Sequence, residues 1–291
     1  MKGAIEMSNY AIGDLMPETS LCSLNVEGSV ANLTLTREDV YNALNIELIS
    51  EIISVLDWTR ERSVGERGTL EDSTGASYLR VLVLAGAGKH FCAGADINMM
   101  RDAGAKSAEE NRHDSERLNR LFNSLWSHPC FTIGKIQGVA LGGGAGLIAC
   151  LDHVIVEHGA RIALSEGKLG ILPAVIGPYV YRKVGSAQFR RLAMMAGRIG
   201  AEEALRIGLV NQVSESLEGA ESSVITEVLT TGPMAVAEAK KLTLTFDRWT
   251  GSDEELRTWT LDKTSAMRGS EEGQEGLSSF LEKRPPNWKE E

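Results

Sequence analysis

The sequence has few cysteines and no long apolar run. Its four cysteines, Cys22, Cys92, Cys130 and Cys150, show no close metal-ligand spacing, so we interpret them as reduced cytosolic thiols and expect no metal site. No apolar stretch approaches the length of a transmembrane helix, and residues 1–21 lack the apolar core of a secretory signal. These absences favour a soluble cytoplasmic protein.

Basic residues are scarce relative to acidic ones. The chain carries 30 Lys and Arg against 40 Asp and Glu, for a net charge of −10, and no stripe of basic side chains stands out. Nucleic acid and anionic membranes are therefore not expected as partners. An acidic protein that binds an anionic ligand would have to place its few cations locally.

Two common phosphate-binding motifs are absent. The Gly-Lys pair at 88–89 is followed by His90 and lacks the earlier glycine that a P-loop requires. A dinucleotide fingerprint starting at Gly142 and Gly144 would need a third glycine where Leu147 stands. Nucleotide binding of either kind therefore does not explain these glycines.

The sequence does contain two glycine-rich stretches. They are Gly86-Ala-Gly-Lys-His-Phe-Cys-Ala-Gly-Ala-Asp96 and Gly138-Val-Ala-Leu-Gly-Gly-Gly-Ala-Gly146, and each follows an apolar run, 79–84 and 131–139, that predicts a buried strand. Glycine exposes backbone N–H groups that a side chain would cover. Two such amides aimed at one point make an oxyanion hole, although either stretch alone is also typical of a tight turn.

Around these stretches the pattern alternates between strand and helix periods. The segment 24–35 predicts a hairpin, and the apolar stripe from Ile49 to Leu56 predicts a helix after it. We expect the polar segment 63–77 to be a mobile surface loop. The residues from Ser107 to Glu110 have the form of a capping box at the start of another helix.

The alternation continues and then stops. Four further elements are predicted before Val213, with strands at 154–156 and 162–164 and helices at 187–196 and 201–207. Beyond Val213 only helices are predicted, at 233–242 and 254–267. This order of strands and helices predicts an α/β fold with a helical C-terminal part.

Four segments of the chain carry a family resemblance. They are Phe91-Cys-Ala-Gly-Ala-Asp-Ile97, Gly138-Val-Ala-Leu-Gly-Gly-Gly144, Leu164-Ser-Glu-Gly-Lys-Leu-Gly170 and the ending Phe280-Leu-Glu-Lys-Arg284 with Trp288. Together they resemble the crotonase superfamily, the enoyl-CoA hydratases and isomerases. The resemblance implies a spiral of repeated ββα units at 22–213 and a C-terminal helical trimerisation region at 214–291, with an N-terminal extension, 1–21, that could be disordered.

The resemblance also implies how an acyl-CoA thioester would bind. In that family the thioester oxygen lies between two backbone amides, which by motif position belong to Ala95 and Gly143. No cofactor is expected, because coenzyme A enters as part of the substrate, and the family implies a homotrimer or a dimer of trimers. Further substrate contacts are expected from Ala93, Asp96, Gly142, Gly146, Pro173 and Tyr179.

The side-chain chemistry of the resembling hydratases is only partly present. They typically carry two glutamates, and here the first position is Gly146 while the second is Glu166. One carboxylate could take a proton from water and give one to Cα in a concerted hydration. It could equally move a proton between Cα and Cγ, which is double-bond isomerisation. Both reactions stay open on this count, and a surface or helix-cap role for Glu166 is the non-catalytic alternative.

A second resemblance favours hydration. The segment 164–180, with Gly-Gly-Gly-Ala-Gly at 142–146, is similar to the bacterial branch that hydrates 3-methylglutaconyl-CoA or isohexenylglutaconyl-CoA in leucine and acyclic terpene breakdown, which also lacks the first glutamate. The part from Pro173 to Tyr179 is expected to line the acyl pocket. The leading interpretation is an enoyl-CoA hydratase, a lyase, with a 3,2-enoyl-CoA isomerase as the alternative. A non-catalytic or RNA-binding family member is a remote alternative, against which the acidic balance argues.

Overall fold

The computed structural model describes residues 16–289, so residues 1–15 of the expected N-terminal extension lie outside the described part. The strands in this part are β1 (Cys22–Glu27), β2 (Val30–Leu35), β3 (Val81–Gly86), β4 (Phe131–Ile136), β5 (Val139–Leu141), β6 (His153–Glu157), β7 (Arg161–Ala163), β8 (Ile199–Gly200) and β9 (Gln212–Ser214). The helices are α1 (Ile46–Glu61), α2 (Val64–Arg67), α3 (Ile97–Gly104), α4 (Ala108–Trp126), α5 (Gly143–Cys150), α6 (Gly177–Met195), α7 (Ala201–Arg206), α8 (Leu217–Leu229), α9 (Pro233–Asp247), α10 (Asp253–Gly269) and α11 (Glu271–Glu282). Of these helices, none has the length and apolar character needed to cross a bilayer.

The larger sheet has six strands in the order β1-β2-β3-β4-β6-β9. The β1–β2 hairpin is antiparallel, as the sequence predicts, and the other pairs are parallel. Its central strand β3 begins with four consecutive apolar residues, 81–84, that are all buried. Such a continuous apolar run is typical of a parallel strand covered on both faces.

A smaller sheet, in the order β5-β7-β8, forms a second layer. The chain passes from β4 to β5 before α5, and from β6 to β7 before α6, so each of these two turns contributes one strand to each sheet and then a helix. This is the expected spiral of ββα units. The single strand predicted over 131–139 is wrong, because the chain turns at Gly138, whose φ is +62°, and enters the other sheet.

Two other local predictions are corrected by the structure. The segment 63–77 is not all loop, since Ser63 is fully buried and caps the short helix α2 by accepting a hydrogen bond from the Glu66 amide. The helix expected at 187–196 begins at Gly177 and is kinked at Gly185. Glycine and proline in that stretch are usual breaker signals, which is why the sequence pattern misses its first half.

After β9 the chain is helical, as predicted, and one arginine ties this part to the larger sheet. Arg80, just before β3, is 6% exposed. Its guanidinium donates to the carbonyl oxygens of Trp288 at 3.0 Å and Thr231 at 2.8 Å. Arg80 therefore joins the C-terminal helical part to the body that carries the glycine loops. Within the C-terminal part, α10 begins with a capping box between Ser252 and Glu255.

Candidate active site

The amide of Ala95 is oriented by a bridge between two loops. Ala95 pairs with Leu44, whose own amide donates to the Gly94 carbonyl at 2.8 Å and whose carbonyl accepts from the Asp96 amide at 2.9 Å. Because the bridge uses the residues on either side of Ala95, the Ala95 amide faces away from Leu44. Within residues 16–289 it donates to no protein acceptor, so it is available to a ligand.

A second amide comes from Gly143, the first residue of α5. Amides in the first turn of a helix have no carbonyl partner within that helix. The two loops approach so closely that a Cβ atom at Gly94 would lie 2.6 Å from the Leu141 carbonyl oxygen, and one at Gly143 would lie 3.6 Å from the Ala95 nitrogen. Glycine at 94, with its φ of +95°, is thus required for the loops to meet.

Glu166 lies next to the loop that carries the Gly143 amide. It follows β7 in a 3-10 helix, Ser165–Leu169. Its Oε1 lies 3.2 Å from the place where a Cβ atom at Gly142 would stand, and its Oε2 is buried without a hydrogen-bond partner. Burial raises the pKa of the Glu166 carboxyl. An unpartnered, desolvated carboxylate is suited to exchange protons with a bound ligand.

Ala95, Gly143 and Glu166 line one cavity of about 360 Å³. A second cavity of about 370 Å³, between β4, α8 and α9, is lined by none of the three. The wall of the first cavity comes from α1, α3, α4 and the segment after the 3-10 helix, and its apolar side chains include Ile49, Met99, Leu118, Phe122, Pro173 and Ile176. Two amides, one carboxylate and an apolar channel can hold and polarise a thioester attached to a hydrocarbon chain.

The position of the missing first glutamate has no room for a side chain. A Cβ atom at Gly146 would lie 2.3 Å from Cγ2 of Ile176 and 3.0 Å from Cε1 of Phe122. Gly146 is itself buried in α5. The space next to Gly146 that a second carboxylate would occupy is filled by Ile176 and Phe122.

The substitution Gly146→Ala is therefore expected to destabilise the protein. Inserting a methyl group into a packed interior costs roughly 1–3 kcal/mol, and Ile176→Ala in the same chain should recover part of that cost. Urea unfolding of the two single variants and the double variant measures the coupling. Gly269→Ala, where a Cβ atom has no neighbour within 4 Å, is the control. Equal stability of Gly146→Ala and the parent would show that the site can accept a side chain.

The structure does not bring every expected contact residue to the cavity. Asp96 caps α3, accepts from the Asn98 amide at 3.0 Å and pairs with Arg37 at 3.4 Å. The Ala93 amide donates to a protein carbonyl at 2.9 Å. Gly142 lies beneath Glu166 and does not itself line the cavity. These three residues shape the loops that present the amides.

Tyr179 lies in the protein interior. It is 7% exposed, and its ring packs against Phe122 at 6.2 Å and Trp126 at 5.8 Å between centroids. Pro173 lines the cavity, as expected. Tyr179 does not line it, and its ring instead contacts Phe122 and Trp126 of α4. The difference arises because Tyr179 belongs to α6 and not to the loop before it.

Sequence reasoning missed the contribution of α3 and of the polar side of α4. Met99 on α3 and Arg117 on α4 line the cavity. A helical period in α4 marks its apolar face, with Leu118 and Phe122, and gives no signal that Arg117 lines a cavity. Helix α3 has eight residues, too few for a clear apolar period, and its one local signal is Asp96 at the N-cap.

Residues 25–291 match the family described as enoyl-CoA hydratase/isomerase, and the chain belongs to that family. The short-chain-enoyl-CoA hydratase of Clostridium acetobutylicum is 31% identical over 268 residues, 90% of this chain and 94% of that protein. The carnitinyl-CoA dehydratase of Salmonella arizonae is 34% identical over 218 residues, 73% of this chain and 82% of that protein. The crystal structure of an enoyl-CoA hydratase from Shewanella pealeana superposes with a TM-score of 0.84 at 36% identity, covering 92% of this chain and 96% of that one.

Proposed function

We propose that this chain is an enoyl-CoA hydratase that uses Glu166 as its single catalytic carboxylate. The observation that carries the proposal is the meeting of the Ala95 amide, the Gly143 amide and Glu166 in one apolar cavity. Hydratase-named relatives support it. Each group has a role in addition of water to a 2-enoyl thioester.

In the proposed mechanism the thioester oxygen accepts hydrogen bonds from the amides of Ala95 and Gly143. Glu166 accepts a proton from a water molecule as its oxygen bonds to Cβ of the substrate. The electron pair of the 2,3-double bond moves into the thioester, and the resulting enolate oxygen is stabilised by the two amides and by the positive end of α5. Cα then takes the proton from Glu166, which returns the carboxylate to its starting state.

Isomerisation is the second candidate, and the observation that favours it is the filled space at Gly146. A lone carboxylate with an oxyanion hole is sufficient to remove a proton from Cα of a 3-enoyl thioester and to return it at Cγ, which moves the double bond from the 3,4 to the 2,3 position. In both reactions the negative charge would develop on the thioester oxygen, where the same two amides can stabilise it. Hydration leads because the segment 164–180 resembles single-glutamate hydratases.

Isotopically labelled water separates the two reactions. With a 2-enoyl-CoA substrate we expect labelled oxygen at Cβ of the product, because hydration forms a new C–O bond there. Mass spectrometry of the product thioester detects the label, and a reaction without enzyme is the control. Rapid 3-to-2 double-bond migration without oxygen label in any 2-enoyl thioester tested would favour the isomerase.

Four further properties stay predictions. A 3-methylglutaconyl-CoA-like substrate is supported by the resemblance of 164–180. Self-association through the C-terminal helices is supported by apolar side chains that α11 leaves exposed, among them Phe280 at 81% and Leu281 at 79%. The absence of a cofactor and the cytoplasmic location follow from the expected chemistry and from composition.

A further inference from the structure

A sharp turn, residues 37–44, lies against the loop that carries the Ala95 amide. The turn contains two successive residues with left-handed backbone, Tyr41 and Asn42, each with a φ of +55°. Residues other than glycine seldom adopt this conformation, and it persists where surrounding contacts fix it, often at functional sites. In this turn the contacts that fix Asn42 run to the Ala95 loop.

The Asn42 side chain is fully buried and uses both ends of its amide group. Its Oδ1 accepts a hydrogen bond from the Arg37 amide at 2.8 Å. Its Nδ2 donates to the carbonyl oxygens of Ala87 at 2.9 Å and His90 at 2.8 Å. Two carbonyls of the glycine-rich loop therefore converge on one nitrogen, and an asparagine supplies the acceptor and the two donors that this arrangement needs.

The first half of the loop is folded tightly around this amide. A Cβ atom at Gly86 would lie 2.4 Å from the Phe91 carbonyl oxygen and 3.0 Å from Nδ2 of Asn42. Contacts this close leave little space for the loop to follow another path while Asn42 is in place. The start of the loop is therefore fixed by the side chain of Asn42.

The same turn holds the end of the loop through its backbone. The Ala93 amide donates to the Tyr41 carbonyl at 2.9 Å, and Leu44 bonds to both neighbours of Ala95. The turn thus contacts the loop before and after Ala95. These contacts leave the Ala95 amide itself to the cavity.

We propose that Asn42 is a positioning residue of the oxyanion hole, which holds the loop so that the Ala95 amide points at the thioester oxygen. The inference rests on the proposed acyl-CoA function and adds a residue that touches no reacting atom. Asn42 does not line the active-site cavity. Its loss would keep both the Ala95 and the Gly143 amide in the chain but would let the first turn away from the oxygen.

A purely structural role for Asn42 predicts a different result. Loss of buried hydrogen bonds lowers the free energy of unfolding in either case. Only a positioning role also weakens the hydrogen bond from the Ala95 amide to the thioester oxygen. Because that bond strengthens as charge develops in the transition state, its weakening should lower kcat and change KM little.

The test compares two substitutions of Asn42. Asn42→Gly keeps the left-handed backbone without strain and removes the side chain. Asn42→Asp has nearly the same size and loses both donors. For each variant we expect kcat with a 2-enoyl-CoA to fall roughly ten- to a hundredfold, because the donor is misplaced and not removed, with KM within about threefold of the parent value.

The second readout is the carbonyl stretch of bound butyryl-CoA labelled with carbon-13 at the thioester carbonyl, measured by difference infrared spectroscopy. Butyryl-CoA has no double bond, so it is not hydrated during the measurement. Hydrogen bonds to the thioester oxygen weaken the C=O bond, so the stretch of the parent complex should lie at lower frequency than that of free butyryl-CoA. In both Asn42 variants it should return part of the way to the free value.

Thr59→Val is the matched control. Thr59 is also fully buried, and its hydroxyl donates to the Val55 carbonyl at 2.7 Å and lies 3.0 Å from Nε2 of His128. These contacts involve neither glycine-rich stretch. The variant should therefore unfold at lower urea concentration than the parent but keep the parental kcat and carbonyl stretch.

Three results would overturn the inference. They are an unchanged carbonyl stretch in folded Asn42 variants, an equal loss of kcat in Thr59→Val, and failure of both Asn42 variants to fold by circular dichroism, which would make Asn42 a residue of the fold alone. A parent complex with the stretch of free butyryl-CoA would remove the oxyanion hole itself, and with it both proposals. A shifted stretch that depends on Asn42, without oxygen label in the labelled-water experiment, would remove only hydration.

Discussion

Replacing Glu166 by glutamine is expected to lower the turnover of a 2-enoyl-CoA by about 10²–10⁴-fold, because the variant keeps the side-chain shape but cannot accept a proton. Steady-state kinetics with the substrate that the parent protein uses best measures this loss. Binding of a saturated acyl-CoA should survive. Oε2 of Glu166 has no hydrogen-bond partner, so the substitution breaks no hydrogen bond at that atom and should leave the fold of the cavity intact. Glu202→Gln, an exposed change on α7, is the matched control.

The pH dependence of the parent protein gives a second measure of Glu166. Its carboxylate must be ionised to accept a proton from water, and burial raises its pKa. Activity should therefore fall on acidification at a higher pH than for an ordinary glutamate, whose pKa is about 4.3. This acidic limb should vanish from the residual activity of Glu166→Gln. Retained turnover in that variant would overturn the catalytic assignment for either reaction.

Replacing Gly143 by proline is expected to lower turnover by about 10²–10³-fold, the usual loss for one oxyanion-hole donor. Proline removes the amide hydrogen, and it is tolerated in the first turn of a helix, where Gly143 stands. Any strain passed to the preceding Gly142 would add to the loss. Turnover is measured on protein shown to be folded by circular dichroism.

Gly143→Ala separates the lost amide from the added bulk. Alanine keeps the N–H group, and its Cβ atom would lie 3.1 Å from Cδ1 of Leu44, a contact that a flexible side chain can relieve. We expect this variant to retain most of the turnover that the proline variant loses. Near-parental turnover in folded Gly143→Pro would mean that its amide is not a donor to the thioester.

The backbone part of the site could be predicted from the sequence because it depends on local patterns. Glycine motifs after apolar strands placed two loops at strand ends, and the family resemblance assigned the amides to Ala95 and Gly143 and the carboxylate to Glu166. The structure puts all three in one cavity. The hairpin and the capping box at Ser107 are likewise set by adjacent residues, and both are present.

The rest of the site depends on contacts between distant parts of the chain. In the sequence Arg117 is an ordinary charged residue of a helix. Only the packing of α3 and α4 around the cavity shows that it lines the cavity. Tyr179 was expected at the acyl pocket as the end of the segment from Pro173, whereas the helix that contains it begins at Gly177. The turn at Gly138 was missed because the apolar run continues through it. Only the pairing of β4 and β5 in different sheets shows that the strand breaks there.

The packing around Gly146 also bears on how such an enzyme can change through evolution. A glutamate at 146 needs a smaller residue at 176, yet a smaller residue at 176 alone leaves an unfilled space beside Phe122. Each single step is expected to reduce fitness, and only the pair would be neutral or useful. With isoleucine at 176, a carboxylate at 146 would therefore require two coordinated changes.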